Sequence, residues 1–235
     1  MKKIDVVVCY NRKELVDGME RTLIEVKRAT TDIEVNAILL DNTSGRFSSA
    51  ASAYNYALKY LCEAECIVFC HQDILFHEGS LQTIYDCCME EQTTLWGAAG
   101  IEQGKKEIIT AWESGESLRK KPQAVQTLDE CLIAANRKVF EQVKFDEDVC
   151  DGWHFYAVEL SLQQAMLGRA VKVFGANIEH LSGGTMDRTF FECERKVAKK
   201  YRGKIGLITY TNCWCWTNPL LFTALRVYRK IRYRI

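Results

Sequence analysis

Three polar clusters stand where short apolar, β-branched runs stop: Tyr10-Asn11 after the first, Asp41-Asn42 after the second, and His71-Gln72-Asp73 after the third. In an open parallel sheet ligands collect beyond the carboxyl ends of the strands, so side chains at those ends are the first candidates for binding and chemistry. The first cluster sits in CYNRKE, which has no glycine to let backbone approach a pyrophosphate. That excludes a dinucleotide fingerprint and a phosphate-binding loop. A bound diphosphate would then need a divalent cation, and Asp73, closing an apolar strand, is the carboxylate placed to grip it. Magnesium or manganese keeps several waters and takes further oxygens from the substrate, so one or two protein ligands suffice. Asp129 interrupts the apolar run TLDECLI and is a candidate contact for a second substrate, since a buried carboxylate there needs a reason.

Each of these residues has a plainer reading. Asp41 could close a turn through its own backbone, a habit of Asp-Asn pairs. Asp73 could cap the following helix, although Gly79-Ser80 offers a better cap. Tyr54 and Trp153 read as packing groups, because aromatic side chains bury large areas wherever they occur.

The elements that must position these residues follow from periodicity. Strands are expected at Ile4 to Cys9, Val35 to Leu40 and Cys66 to Cys70, with helices between them. Leu15, Met19, Leu23 and Val26 mark one helix face; Ala50, Tyr54, Ala57 and Leu61 mark another, capped by Ser48 or Ser49. A third helix is expected from Ser80 to Met89. This βαβαβα succession calls for a mostly parallel sheet with helices on its faces. Farther on, Leu95 to Gly100, Glu107 to Trp112, Ala124 to Ala134 and Val171 to Phe174 read as strands, Arg137 to Gln142 as a short helix, and Phe155 to Leu167 as a longer one closed by Gly168. A polar loop is expected after His180.

The 235 residues suit one domain with a single core, and 48% hydrophobic residues with two prolines describe a packed globule. Thirty-one basic and thirty-one acidic residues cancel, so no overall field recruits nucleic acid. Eleven cysteines lie mostly inside apolar runs, where free cysteine behaves as a small hydrophobe. With no leader pattern before the first strand, the expected location is the cytoplasm. A zinc site from Cys213-Trp214-Cys215, or from Cys62 to Cys70, lacks paired C-x-x-C knuckles.

The succession VVVCYNR, ILLDN, SAASAYNYAL, CIVFCHQDILF, QTLDECLIAANRKVF, FDED, DGWHFYAVELSL and EHLSGG, from Ile4 to Gly184, resembles the GT-A-fold glycosyltransferases of glycosyltransferase family 2, in the subgroup with HQD where others have DxD. The resemblance implies an α/β, Rossmann-like, mostly parallel mixed sheet flanked by helices in a single domain. The expected division is residues 1–212 as that domain, with 1–92 binding nucleotide and 93–212 serving acceptor and catalysis, followed by a basic amphipathic segment, 213–235. The resemblance further implies that Tyr10, Asn11 and Asp41 border the nucleotide base and ribose, that Asn55 lies near the donor, and that Asp73 is a metal ligand approached from the other side by His180. A satisfied loop histidine is the alternative for His180. The expected reaction is sugar transfer from a nucleotide-diphosphate sugar to a hydroxyl of a glycan or lipid-linked acceptor, with inversion and a manganese or magnesium ion. Here His71 replaces the first carboxylate of DxD, and Ala157 stands where relatives carry a catalytic aspartate. Asp151, His154 and Glu159 are the remaining candidates for the general base, Asp151 foremost, and Asp129 falls on the acceptor side.

Two rivals follow: a nucleotide-sugar-binding protein of the same fold without transfer activity, and a nucleotidyltransferase, which would want a Gly-rich, basic first loop. The segment from Pro219 to Ile235 mixes Leu220, Leu221, Phe222, Leu225, Val227, Tyr228 and Ile231 with Arg226, Arg229, Lys230, Arg232 and Arg234. Such a helix either lies on the inner face of an anionic membrane or packs on the domain.

Overall fold

The fold comes from a computed structural model that describes residues 2–30, 32–112, 121–183, 186–211 and 213–233, with side chains of the last helix as far as Arg229. Gly184, the side chains of Lys230, Ile231 and Arg232, and Arg234 lie outside the described residues.

Strand β1 (Lys2–Tyr10) is the hub. It pairs in parallel with β2 (Ile33–Asp41) on one side and β3 (Cys66–Cys70) on the other, as the expected βαβαβ order demands. Helix α1 (Lys13–Ala29) joins the first pair, and α2 (Ala50–Tyr60) precedes β3. Ser49 caps α2 in a reciprocal capping box with Ser52, which fixes the loop that follows β2. Buried Asp5 of β1 accepts from the amides of Glu63 and Ala64 at 2.6 and 2.7 Å and from Asn36 at 3.0 Å, pinning the turn into β3.

After β3 the chain makes a short strand β4 (Ile74–Phe76) before α3 (Ser80–Glu90). Asp73 therefore caps no helix. Gly79 takes the N-cap position, as the Gly79-Ser80 reading expected, with φ 78°, which favours glycine; no side chain caps α3. The Ser80 hydroxyl is buried without a hydrogen-bond partner.

Two expected single strands are broken. Leu95 to Gly100 divides into β5 (Leu95–Gly97) in the central sheet and β6 (Ala99–Ile101) in a small three-stranded sheet with β7 (Ile108–Thr110). Ala124 to Ala134 divides into β8 (Gln123–Ala124), β9 (Thr127–Leu128) and β10 (Leu132–Asn136). The second break falls at Asp129, whose carboxylate accepts from the Cys131 amide at 3.0 Å and turns the chain. Where β6 crosses β9, a Cβ on Gly100 would stand 2.8 Å from the Thr127 carbonyl oxygen, so only glycine lets these backbones meet.

Helix α4 (Arg137–Phe140), capped by Asn136, leads to α5 (Tyr156–Met166), and Gly168 closes α5 at φ 69°. Next come β11 (Val171–Val173) and β12 (Ile178–His180). Helix α6 (Arg188–Lys200) has no counterpart in the sequence reading; Phe190, Cys193, Val197 and Ala198 form its inner face. The chain ends in a hairpin of β13 (Leu207–Tyr210) and β14 (Cys213–Trp216), and then α7 (Pro219–Tyr233).

The central sheet runs β2-β1-β3-β10-β5-β11-β8, with β10 antiparallel to β3 and β5. Its two faces bury separate clusters. Ile4, Val6 and Val8 meet Met19 and Leu23 of α1 and Leu81 and Ile84 of α3; Val7 faces Ala53 and Tyr54 of α2 and Leu160 of α5. Helices thus cover both faces, and polar groups at the carboxyl ends of β1, β2 and β3 meet along one edge.

Candidate active site

The densest group of potential ligands lies at the end of β3. One ligand atom each from His71, Asp73 and His180 falls within 4.8 Å of the others, the only such His/Cys/Asp/Glu group found among the described residues. The antiparallel pairing of β12 with β4 sets His180 opposite Ile74, beside Asp73. His180 Nε2 stands 3.5 Å, and His71 Nδ1 4.0 Å, from Asp73 Oδ1. Atoms bound to one divalent ion at about 2.1 Å each stand roughly 3–4 Å apart, so this spacing fits a metal. The zinc alternative from Cys62 to Cys70 or Cys213 to Cys215 forms no such group among the described residues.

Burial opposes ionisation of Asp73, but His180 and a hydrogen bond from the Ser182 hydroxyl to Oδ2 outweigh it and hold the carboxyl at about 2. Burial lowers the pKa of His71, reinforced by His180 and opposed by Asp129 and Asp73. The neutral ring that results is the form that binds metals. Its tautomer follows from its neighbour. The Tyr156 hydroxyl donates to the Glu130 carbonyl oxygen at 3.0 Å, so towards His71 Nε2, also at 3.0 Å, it can only accept. Nε2 therefore carries the proton, and the Nδ1 lone pair is left towards Asp73. His180 Nε2 is buried without a well-formed hydrogen bond, an unfilled requirement that a cation would meet. Two imidazoles and one carboxylate suit a first-row transition ion better than magnesium, which prefers oxygen.

Around this group lies a cleft of about 250 Å³, lined by Tyr10, Asn11, Asn42, Tyr54, His71, Gln72, Asp73, Trp153, Tyr156 and Ser182, among others. Tyr10 and Asn11 thus reach it. Asp41 does not line it; its carboxylate accepts from the backbone amide and hydroxyl of Thr43 at 2.8 and 2.7 Å, the local turn that was its plainer reading. The adjacent Asn42 holds the same loop through Phe47 and does line the cleft. Asn55 faces elsewhere. It bonds the Phe145 carbonyl and Glu147, both at 2.8 Å, and lines a separate cavity with Lys59 and Lys144.

The structure separates the three candidate bases. Asp151 is an exposed partner of Lys196 outside the cleft lining. Glu159, which could have faced solvent, is fully buried and bonded by Lys200, Gln163 and the Tyr201 hydroxyl, a structural arrangement with no access for substrate. His154 Nε2 lies 3.5 Å from Asp187, with the ring edge-on to Phe190, and burial lowers its pKa against the pull of Asp187. Asp129 accepts from the Thr211 hydroxyl at 2.6 Å, and its charge reaches His71.

Three residues around the cleft were given no individual site role by the sequence reading, Gln72 being named only as part of its strand-end cluster. Gln72 accepts from the amides of Asn11 and Arg12 at 3.0 and 2.9 Å and donates to the Asn11 side chain at 2.9 Å, splinting β1 to β3 at the cleft floor. Trp153, read as a packing group, is 43% exposed at the cleft wall, whereas Tyr54 is buried as expected. Glu130 accepts from the Phe155 amide at 2.8 Å. Phe155 is the one non-glycine among the described residues with positive φ, at 65°, a conformation that persists only where neighbours enforce it. Burial, with Asp129 alongside, pushes the Glu130 carboxyl up to about 8.

A mixed, mostly parallel sheet with helices on both faces and a metal-capable cluster at the end of β3 is the GT-A arrangement that the resemblance implied. Comparison with solved structures bears this out at the level of fold. GalNAc-T7, solved with UDP, GalNAc and Mn²⁺, superposes with a TM-score of 0.62 at 12% identity, over 87% of this chain and 49% of that one. S. aureus TarS 1-349 with UDP-GlcNAc gives 0.56 at 15% identity, over 86% and 67%, and with UDP 0.57 at 13%, over 86% and 66%. Among curated proteins, "ATP synthase subunits region ORF 6" of Fuscovulum blasticum is 23% identical over 155 residues, 60% of this chain and 61% of that protein. The chain thus spans about half the length of GalNAc-T7 and three fifths of the curated relative. No family model matches it.

Proposed function

We propose that this protein is a glycosyltransferase that moves a sugar, with inversion, from a nucleotide-diphosphate sugar to a hydroxyl of a glycan or lipid-linked acceptor, in the cytoplasm at the inner face of the cell membrane. The observation that carries the reading is the His71-Asp73-His180 group, with its orphaned imidazole nitrogen, opening onto the cleft at the ends of β1 and β3. When bound there, a divalent ion, manganese by the donor set, supplies positive charge to the diphosphate leaving group. The protein's own part is to hold the two reactants. Tyr10, Asn11 and Asn42 border the nucleotide, and Gln72 keeps the Asn11 loop in register. Trp153 offers a flat wall to the sugar or acceptor, and Asp129 serves the acceptor side.

As the acceptor oxygen bonds to the anomeric carbon, the bond to the diphosphate oxygen breaks and the hydroxyl proton must leave. Glu130 is the proposed proton acceptor in place of Asp151, His154 and Glu159. Like Asp151 it stands outside the cleft lining, but its backbone carbonyl holds the Tyr156 hydroxyl at the cleft wall, and it is the only carboxyl among the described residues with a resolved upward shift; a base with a pKa near working pH transfers protons best. All eleven cysteines are free, which suits a reducing compartment.

Calorimetry of UDP and GDP with and without manganese tests the site. Asp73→Ala is expected to lose metal-dependent binding while keeping its fold, and retained binding would sink the reading. Metal-dependent nucleotide release from a panel of sugar donors then separates an enzyme from a silent binder, the alternative that buried Ala157 at the start of α5 favours.

A further inference from the structure

We propose that α7 and the basic groove beside it form a surface that docks on the anionic face of a lipid bilayer. Helix α7 is held to the domain by Phe222 and Arg229, seven residues apart, both buried, with Arg229 bonded to Glu194 at 2.7 and 2.9 Å. Each residue turns the helix by about 100°, so the positions two before these lie about 160° round from the packing face. They are Leu220, 81% exposed, and Val227, 52% exposed. Tyr228 and Leu221 extend the same outward stripe at 58% and 47%. An apolar stripe opposite the core-facing side is the reverse of what a terminal helix packed on a domain presents to water.

Charge identifies what covers it. A groove of about 400 Å³ between α6 and α7 has an apolar floor that includes Phe222 and a rim of Arg195, Lys199, Arg202 and Arg226, with no acidic residue among the described residues of its lining. None of these four side chains makes an ion pair or hydrogen bond with a described residue. Their neighbours do: Arg188 pairs with Glu192, Lys196 with Asp151, Lys200 with Asp146 and Glu159, and Arg229 with Glu194. Arg195 and Arg226 also line the adjoining cavity of about 620 Å³, which extends to Met186 and Asp187. Four cations without a partner among the described residues, flanking an exposed aliphatic stripe, match phosphate headgroups flanking acyl chains. A second copy of the chain would bring like charges together across a two-fold axis, and single-stranded RNA would leave the leucines without stacking partners.

This surface stands apart from the cleft chemistry, so vesicle flotation of the full chain without donor tests it independently. On vesicles of phosphatidylcholine with phosphatidylglycerol, partition is expected to exceed that on phosphatidylcholine alone by at least tenfold, taking roughly fivefold per engaged cation, and to fall with salt. The Arg195→Glu/Arg226→Glu pair should abolish the difference. Leu220→Ser/Val227→Ser, confined to exposed positions and so neutral for folding, should weaken partition at least fivefold, and Lys105→Glu, exposed and outside both cavities, should leave it unchanged. Equal wild-type binding to both vesicle types, or full binding by either double variant, overturns the proposal. So does calorimetric uptake of inorganic pyrophosphate by the groove without vesicle binding, which makes the ligand a free anion. A dimer in sedimentation that Leu220→Ser dissolves, again without vesicle binding, makes the occupant a second copy.

Discussion

Two buried acidic centres in this protein are built in opposite ways. Glu194, under α7, is saturated: Arg229 grips both its oxygens, the Tyr210 hydroxyl donates to it, and Arg229 gives further donors to Cys213 and the Trp214 carbonyl. Asp73, 4% exposed at the end of β3, has Ser182 on one oxygen and two imidazoles near the other, one of which has its buried nitrogen unbonded. A saturated centre gains nothing from a ligand, and an unsaturated one holds an interaction in reserve. Glu159 and Asp5 belong with Glu194, their oxygens met by Lys200, Tyr201 and Gln163 in one case and by two backbone amides and the Asn36 side chain in the other.

The contrast predicts opposite mutant phenotypes. The largest stability effect should come from Glu194→Ala, which strands a buried guanidinium and is expected to cost about 3–5 kcal/mol in urea unfolding. Any nucleotide bound by the fraction still folded should be bound normally. Asp73→Asn should invert this pattern: metal-dependent UDP binding lost beyond about a hundredfold, with a far smaller change in unfolding free energy. If Asp73→Asn unfolded the protein as readily as Glu194→Ala, the two centres would be alike and the functional reading of the first would fail.

A smaller effect is expected from Tyr156→Phe. Removing the hydroxyl frees His71 to adopt either tautomer, and loss of such an orienting partner typically costs about 10–100-fold in metal affinity. Manganese titration followed by calorimetry reads this directly. Glu130→Gln sharpens the comparison through pH. The folded-state pKa of Glu130 is raised from 4.5 to about 8, so between those values the folded protein binds more protons than the unfolded chain. Its contribution is present in full below the unfolded value and declines as pH rises through about 8. Glu130→Gln should flatten that decline in thermal unfolding. If Glu130 takes the acceptor proton, activity should rise with pH towards the same value and Glu130→Gln should remove the rise. Asp73 has the opposite sign: with its pKa lowered from 3.8 to about 2, its contribution is present above 3.8 and lost as pH falls through about 2.

Strand ends were legible in the sequence because apolar runs stop abruptly, and Asp73 and His180 could be paired through the order of motifs around them. Glu159 was not assignable, since its three partners lie on α6, just past it, and on α5 itself, and contacts across a fold leave no local periodicity. Asn55 entered through the resemblance and Asp151 through its place just before the helix, while the backbone turns one towards Phe145 and the other towards Lys196. The chain breaks at Ala98 and Asp129 were hidden because a strand that changes sheets keeps its apolar composition. Helix α6 was hidden for another reason: its mean hydropathy is low, and its buried face mixes Glu194 with Phe190 and Val197.

Gln72 is the most instructive omission and carries the mildest prediction. It was named in its strand-end cluster without a role of its own, yet it makes three hydrogen bonds that tie the loop after β1 to the loop after β3. The amides it satisfies belong to Asn11 and Arg12, both exposed, so in Gln72→Ala water can replace the lost acceptor. The stability cost should stay near 1 kcal/mol, well below that of stranding a buried group. What water cannot replace is the position of Asn11, which Gln72 fixes by bonding both its backbone and its side chain. Nucleotide affinity should therefore fall by roughly tenfold while manganese affinity is kept, because nothing in the Gln72 network touches His71 Nδ1, Asp73 or His180. Equal losses of nucleotide and metal binding would mean that Gln72 belongs to the metal group, and the line drawn here between saturated scaffold and unsaturated site would have to move.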